Sequence, residues 1–135
     1  MEVTSDILDL LHDARLLGVE VDFSTSIRSI AFTATYHDDL FTAGYHDYSG
    51  LASLAGKTVK LTAEDITFLQ SRVHGAMSDP ETIDSCDLSV SDETAAQLTE
   101  WLRIGGRDPK VRMSLTTHSG SVWEVMCESL SLNIL

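Results

Sequence analysis

With 135 residues the chain has the length of one ordinary domain, and 43% apolar residues suffice for a core, which excludes a disordered chain. Twenty-one acidic residues against nine basic ones leave a net charge of −12, which excludes a free duplex-binding surface, because nucleic acid is met by basic patches. No apolar stretch approaches the ~20 residues that span a bilayer as a helix, and no basic-then-apolar leader opens the chain; the expectation is a cytoplasmic protein whose two cysteines, Cys86 and Cys127, are reduced and buried.

Thr4 or Ser5 can cap a first helix over residues 5–17. Ile7, Leu10, Leu11, Ala14 and Leu17 follow helical spacing, Asp6 and Asp9 suit the positive end of the dipole, and Gly18 is a natural stop. Val19, Val21 and Phe23 then alternate with Glu20, Asp22 and Ser24, the pattern of a strand with one wet face.

A duplicated stretch follows. Residues 31–38 read AFTATYHD and residues 40–47 read LFTAGYHD, identical at six of eight positions. Both copies alternate with period 2, which predicts a hairpin turning at Asp38-Asp39, with Tyr36 facing Phe41, Ala34 facing Ala43 and Phe32 facing Tyr45. A three-stranded meander over residues 19–48 results, with the first helix across its apolar face. Tyr36, His37, Tyr45 and His46 are the polar groups from which this hairpin could build a ligand pocket. In that register His46 sits opposite Ala31, roughly 20 Å from His37 at about 3.3 Å per residue, too far for the two to share an ion.

Residues 49–61 read as a connector with a brief strand at Val59 and Leu61. Gly56-Lys57-Thr58 ends like a phosphate-binding loop, but Leu51 stands where its first glycine belongs, so the match fails. Thr62-Ala63-Glu64-Asp65 opens a predicted second helix, with Ile66, Leu69, Val73 and Met77 on one face.

Residues 78–93 contain Asp79, Glu81, Asp84, Asp87, Asp92 and Glu93 with no basic residue. The spacing is wrong for a calcium loop and no glycine stands at its sixth position, so no metal is expected. The segment reads as a connector with a short strand at Cys86–Val90, and its functional meaning is an acidic face for a basic partner. Those six carboxylates, with Asp38 and Asp39, are the candidate partner-binding residues.

Ser91-Asp92-Glu93 starts a third helix with Ala95, Leu98, Trp101 and Leu102 on its buried side, ended by Gly105-Gly106. Val111, Met113 and Leu115 form a strand, and His118–Ser121 turns the chain into a last strand over 122–132. That strand carries Trp123, Val125 and Cys127 on one face and Val122, Met126, Leu130 and Leu132 on the other, where Glu124 and Glu128 limit burial to part of the face; apolar residues on both faces mark a position inside a sheet.

The expected fold is a single acidic α+β domain over residues 1–135: an antiparallel sheet of five to six strands, from the N-terminal meander and the C-terminal hairpin, packed with three helices. The sequence has no Gly-x-Ser-x-Gly elbow, no His-x-x-x-His and no Cys-x-x-Cys, and no cofactor is expected. The leading expectation is a protein-binding module that neutralises or escorts a basic partner, itself one that handles nucleic acid, with no direct contact of its own to nucleic acid or membrane. In size and charge, though in no motif, the chain is comparable to acidic inhibitors of the immunity-protein kind. The alternatives are a small enzyme or ligand-binding domain using the 36–47 hairpin, and a homodimer or larger assembly formed through an exposed strand edge.

Overall fold

A computed structural model describes residues 3–36, 53–74 and 81–135. A short helix α1 (Ser5–Asp9) leads into strands β1 (Arg15–Asp22), β2 (Ser29–Thr35), β3 (Thr58–Arg72) and β4 (Glu81–Asp87). Helix α2 (Asp92–Arg103) follows, then β5 (Val111–Thr117) and β6 (Val122–Ile134). The six strands form a closed antiparallel barrel in the order β1-β2-β3-β6-β5-β4, and β4 returns to β1. The expected α+β fold with three helices is therefore wrong. Among the described residues the architecture is a β-barrel with two short helices.

The inward faces supply the core. Ile30, Phe32 and Ala34 of β2, Val59, Leu61 and Ala63 of β3, Met113 and Leu115 of β5, and Trp123, Val125 and Cys127 of β6 are all buried. Phe32 meets Trp123 edge-on, with ring centroids 5.8 Å apart, the favoured arrangement for two aromatic quadrupoles. β6 lies between β3 and β5, where a strand apolar on both faces belongs.

The first helix is shorter than its apolar spacing suggests. Ile7, Leu8, Leu10, Leu11 and Ala14 are all buried, yet the helix ends at Asp9 and β1 begins at Arg15. Asp13 takes a positive φ of 65° between them and redirects the chain. Together α1 and this turn cover the end of the barrel where β1 begins, with the Tyr36 hydroxyl donating to the Ile7 carbonyl.

The predicted second helix is a strand. β3 runs through Thr58–Arg72 and pairs with both β2 and β6. Two irregularities explain the helical look of its sequence. Asp65 has a φ of 57°, and the register with β6 shifts between Ile66 and Phe68. Core-facing residues therefore fall at Ala63, Ile66 and Leu69, a spacing of three that imitates a helical face.

The predicted hairpin is also corrected. β2 pairs with β1 along one edge and with β3 along the other, so no edge of β2 remains for residues 40–46. The second repeat copy itself, with Tyr45 and His46, lies outside the described residues, as do His37, Asp38, Asp39 and Asp79.

Burial inside the barrel gives the thiols a signature. Desolvation pushes Cys127 up from an ordinary 9.0 to about 11, and it pushes Cys86 higher still. A thiol whose folded pKa exceeds its unfolded one contributes stability at pH below the unfolded value, and that contribution is lost as pH rises through the folded value. Urea midpoints of the wild type should therefore fall between about pH 9 and pH 11, and Cys127→Ala should fall less from its own neutral-pH midpoint. An equal fall in both proteins would remove Cys127 as the cause.

Candidate functional site

The predicted acidic residues separate into two groups. Asp84 and Asp87 are exposed on β4, and Asp92 and Glu93 are exposed in the first turn of α2, so the four form an acidic strip in the sequence. None of them pairs with Lys or Arg among the described residues. Glu81 differs, because it is half-buried and accepts a hydrogen bond from Ser119 Oγ at 2.7 Å. The cations Arg107, Lys110 and Arg112, close together in the sequence, are all paired with carboxylates. Arg107 reaches Glu128 at 3.0 Å and Asp65 at 3.5 Å, Lys110 reaches Glu128 at 3.9 Å, and Arg112 reaches Asp108 at 3.7 Å. Lys110 and Arg112 border an open cavity of about 660 Å³ that is also lined by Val3, Leu88, Asp108 and Leu130. An anion entering it would compete with Asp108 and Glu128 for every charge.

A second cluster sits where β1 meets β4. Asp13 holds His12 Nδ1 at 3.2 Å and His118 Nε2 at 3.3 Å, and His118 also faces Asp84 at 3.7 Å. Ser119 follows His118 in sequence, but its hydroxyl donates to Glu81 and pairs with Thr117 and Ser121. Histidine and hydroxyl therefore serve different carboxylates, and the Ser119 hydroxyl is not bonded to His118. Among the described residues no three His, Cys, Asp or Glu side chains are placed to hold a metal ion.

Tyr36, a candidate ligand group, is structural. It is 1% exposed, its hydroxyl is spent on Ile7, and burial pushes its pKa well above the ordinary phenol range. The ligand-binding alternative thus loses its one described residue.

The site that sequence reasoning missed is the seat of α2. Glu124 projects from the outer face of β6 and is only 7% exposed. Its carboxylate accepts from Ser91 N at 2.6 Å, Ser91 Oγ at 3.1 Å and Thr94 Oγ1 at 2.9 Å. Ser91 is also the N-cap, since its Oγ accepts from Thr94 N at 3.3 Å. One carboxylate therefore satisfies the start of the helix and suits its positive dipole end. Leu98 supplies the other buried contact, toward Met126.

Beyond Leu98 the helix is not covered. Trp101 is 42% exposed, and Leu102 and Ile104 are exposed with it, although Trp101 and Leu102 were expected in the core. An apolar groove of about 340 Å³ opens beside them, walled by Phe68, Leu98, Trp101, Ile104 and Met126. The Trp101 ring is fixed in place. Its Nε1 donates to the Arg107 carbonyl at 3.2 Å, and a Cβ at Gly106 would lie 2.1 Å from Trp101 Cε2. Gly106 is therefore required by the indole, beyond its expected role in ending the helix.

Removing the Glu124 carboxylate should unseat α2 while leaving the barrel closed. Glu124→Ala should cost about 2 kcal/mol, the scale of hydrogen bonds to a charged group. Hydrogen exchange should show α2 amides losing protection while β3 and β6 amides keep theirs; uniform loss would mean that Glu124 supports the barrel instead. Comparisons with protein families, curated proteins and solved structures return no match, so the likeness to immunity-type inhibitors rests on size and charge alone and is set aside.

Proposed function

We propose that this chain is a small protein-binding barrel that engages a basic protein through the strip Asp84, Asp87, Asp92 and Glu93. The observation that carries the proposal is the uneven pairing of charge. Five of the nine cations are tied to carboxylates within the described residues, while the four carboxylates of the strip have no Lys or Arg partner there. Exposed carboxylates without Lys or Arg partners, on a chain with a net charge of −12, steer basic partners toward them and raise the encounter rate. A reducing, cytoplasmic setting is part of the proposal, supported by two free, buried cysteines. No helix of the described residues is long and apolar enough to cross a membrane.

A second reading is self-association through β1. Val19 and Val21 lie opposite the buried Phe32 and Ile30, yet both are exposed, and Phe23 and Ile27 beyond them are exposed as well. Static light scattering on the isolated chain decides it: a mass that doubles with concentration favours self-association, and a constant monomer mass removes it.

The first proposal is tested with the intact chain as bait in native lysate. A basic protein should be retained at low salt and released at high salt. Asp84→Lys with Asp87→Lys should then weaken the isolated complex by about tenfold or more and flatten its salt dependence. Binding that is indifferent to both salt and charge reversal would remove the strip from the interface.

A further inference from the structure

We infer that the groove beside Trp101 anchors the apolar face of a basic amphipathic helix carried by the partner protein. This rests on the partner-binding proposal above and adds where the partner is gripped.

Three features point to the groove as a prepared contact. The first is rigidity. Trp101 is held by its bond to the Arg107 carbonyl and by the close approach of Gly106, so the indole is already ordered in the free chain. An exposed aromatic that needs no ordering on binding is an efficient anchor. The second is shape. Phe68 and Met126 are paired across β3 and β6, and Leu98, Trp101 and Ile104 rise from α2 and its end. The volume of about 340 Å³ lies at the small end of ligand pockets and suits one or two aliphatic side chains.

The third feature is charge along the helix. Glu93, Gln97, Glu100, Trp101 and Ile104 recur at spacings of three and four, which places them on one stripe of α2. A partner helix lying along that stripe would set its apolar anchors in the groove and reach Glu93 about 12 Å away, eight residues at 1.5 Å each. The cations near the groove are occupied: Arg103 pairs with Glu100, and Arg107 pairs with Asp65 and Glu128. At the far end Asp92 and Glu93 outnumber Arg72, which shares a cleft with Glu93. Glu100 is itself paired with Arg103, so Glu93 is the stripe's carboxylate without a Lys or Arg partner among the described residues; an apolar face with a Lys or Arg set over Glu93 therefore matches the stripe, and a carboxylate set there is repelled.

The test uses the isotope-labelled full chain, titrated with a Leu/Lys amphipathic peptide and with its Leu/Glu counterpart. The two indole signals are separable, because Trp101 is exposed and Trp123 is buried against Phe32. The Leu/Lys peptide should shift the Trp101 indole and Ile104 methyl signals saturably and leave Trp123 unmoved. Ile104→Asp, at an exposed position, and Gly106→Ala, which displaces the ring, should each weaken binding by about tenfold or more. The Leu/Glu peptide should bind at least as poorly. Leu/Lys binding that leaves Trp101 unmoved and tolerates both substitutions, yet is lost in Asp84→Lys with Asp87→Lys, would overturn the groove while sparing the acidic strip. Equal binding of the two peptides, or no binding of either, would overturn the inference. A Trp101 shift that grows with protein concentration alone would assign the groove to a second copy of the chain and overturn it too.

Discussion

Two residue pairs, Arg15 with Thr82 and Leu16 with Glu81, carry the ladder that closes the barrel, extended by backbone bonds that join Asp13 and Ala14 to Ile83. A sheet left open there would present two unpaired edges, the usual template for association with another chain. So short a ladder holds because three other pieces are pinned across it. α1 buries Ile7 and Leu8 beside it, Asp13 takes the positive φ that turns the chain into β1, and the β5–β6 turn reaches β4 through the bond from His118 N to the Thr82 carbonyl. His12, Asp13, Asp84 and His118 lie on the outside of this seam. Their contacts are solvent-exposed and worth little individually, so burial behind the seam, more than charge on it, holds the barrel shut.

Away from the seam the barrel was legible in β2 and β5, where period 2 runs unbroken through described residues. Ile30, Phe32 and Ala34 in β2, and Met113 and Leu115 in β5, read as strand and are strand. Tyr36 continues the β2 series by two, so its burial was implied by the same alternation that made the repeat visible. Legibility failed where the backbone departs from the ideal pleat. Asp65 at positive φ and the register shift beyond Ile66 respace the inward residues of β3, and a helical face is the natural reading of the result. The turn at Asp13 does the same for residues 5–17, where Ile7, Leu10, Leu11 and Ala14 are buried without a helix that long and Leu17, on β1, is exposed.

The site was legible in part. Ser91 as a cap with Asp92 and Glu93 behind it is a local signal, and α2 begins there. The acidic strip is equally local, since it needs only composition. Glu124 is not local: on β6 it reads as a polar interruption between Trp123 and Val125, and only the packing of α2 gives it three donors. Trp101 failed for the opposite reason. Its place beside Leu98 on one helical face argues for burial, but the helix is seated by Thr94 and Leu98 alone, and its later turns extend past the sheet that would have covered them.

In the proposed recognition of a basic partner, charge and apolar surface would divide the labour. Exposed charges are largely screened beyond about 8 Å at physiological ionic strength, so a net charge of −12 can bias an approach without fixing a register. Register needs groups that make contact at short range and lose affinity when displaced. The groove has that property, because the Trp101 indole is bonded to the Arg107 carbonyl and lies close over Gly106, and Glu93 stands on the same stripe two turns earlier. An apolar anchor in the groove and a cation over Glu93 can be met together only by a helix of the right direction and phase. Strip and stripe share Glu93, so under the proposal the charge that would draw a basic protein also lies at one end of the surface that would orient it.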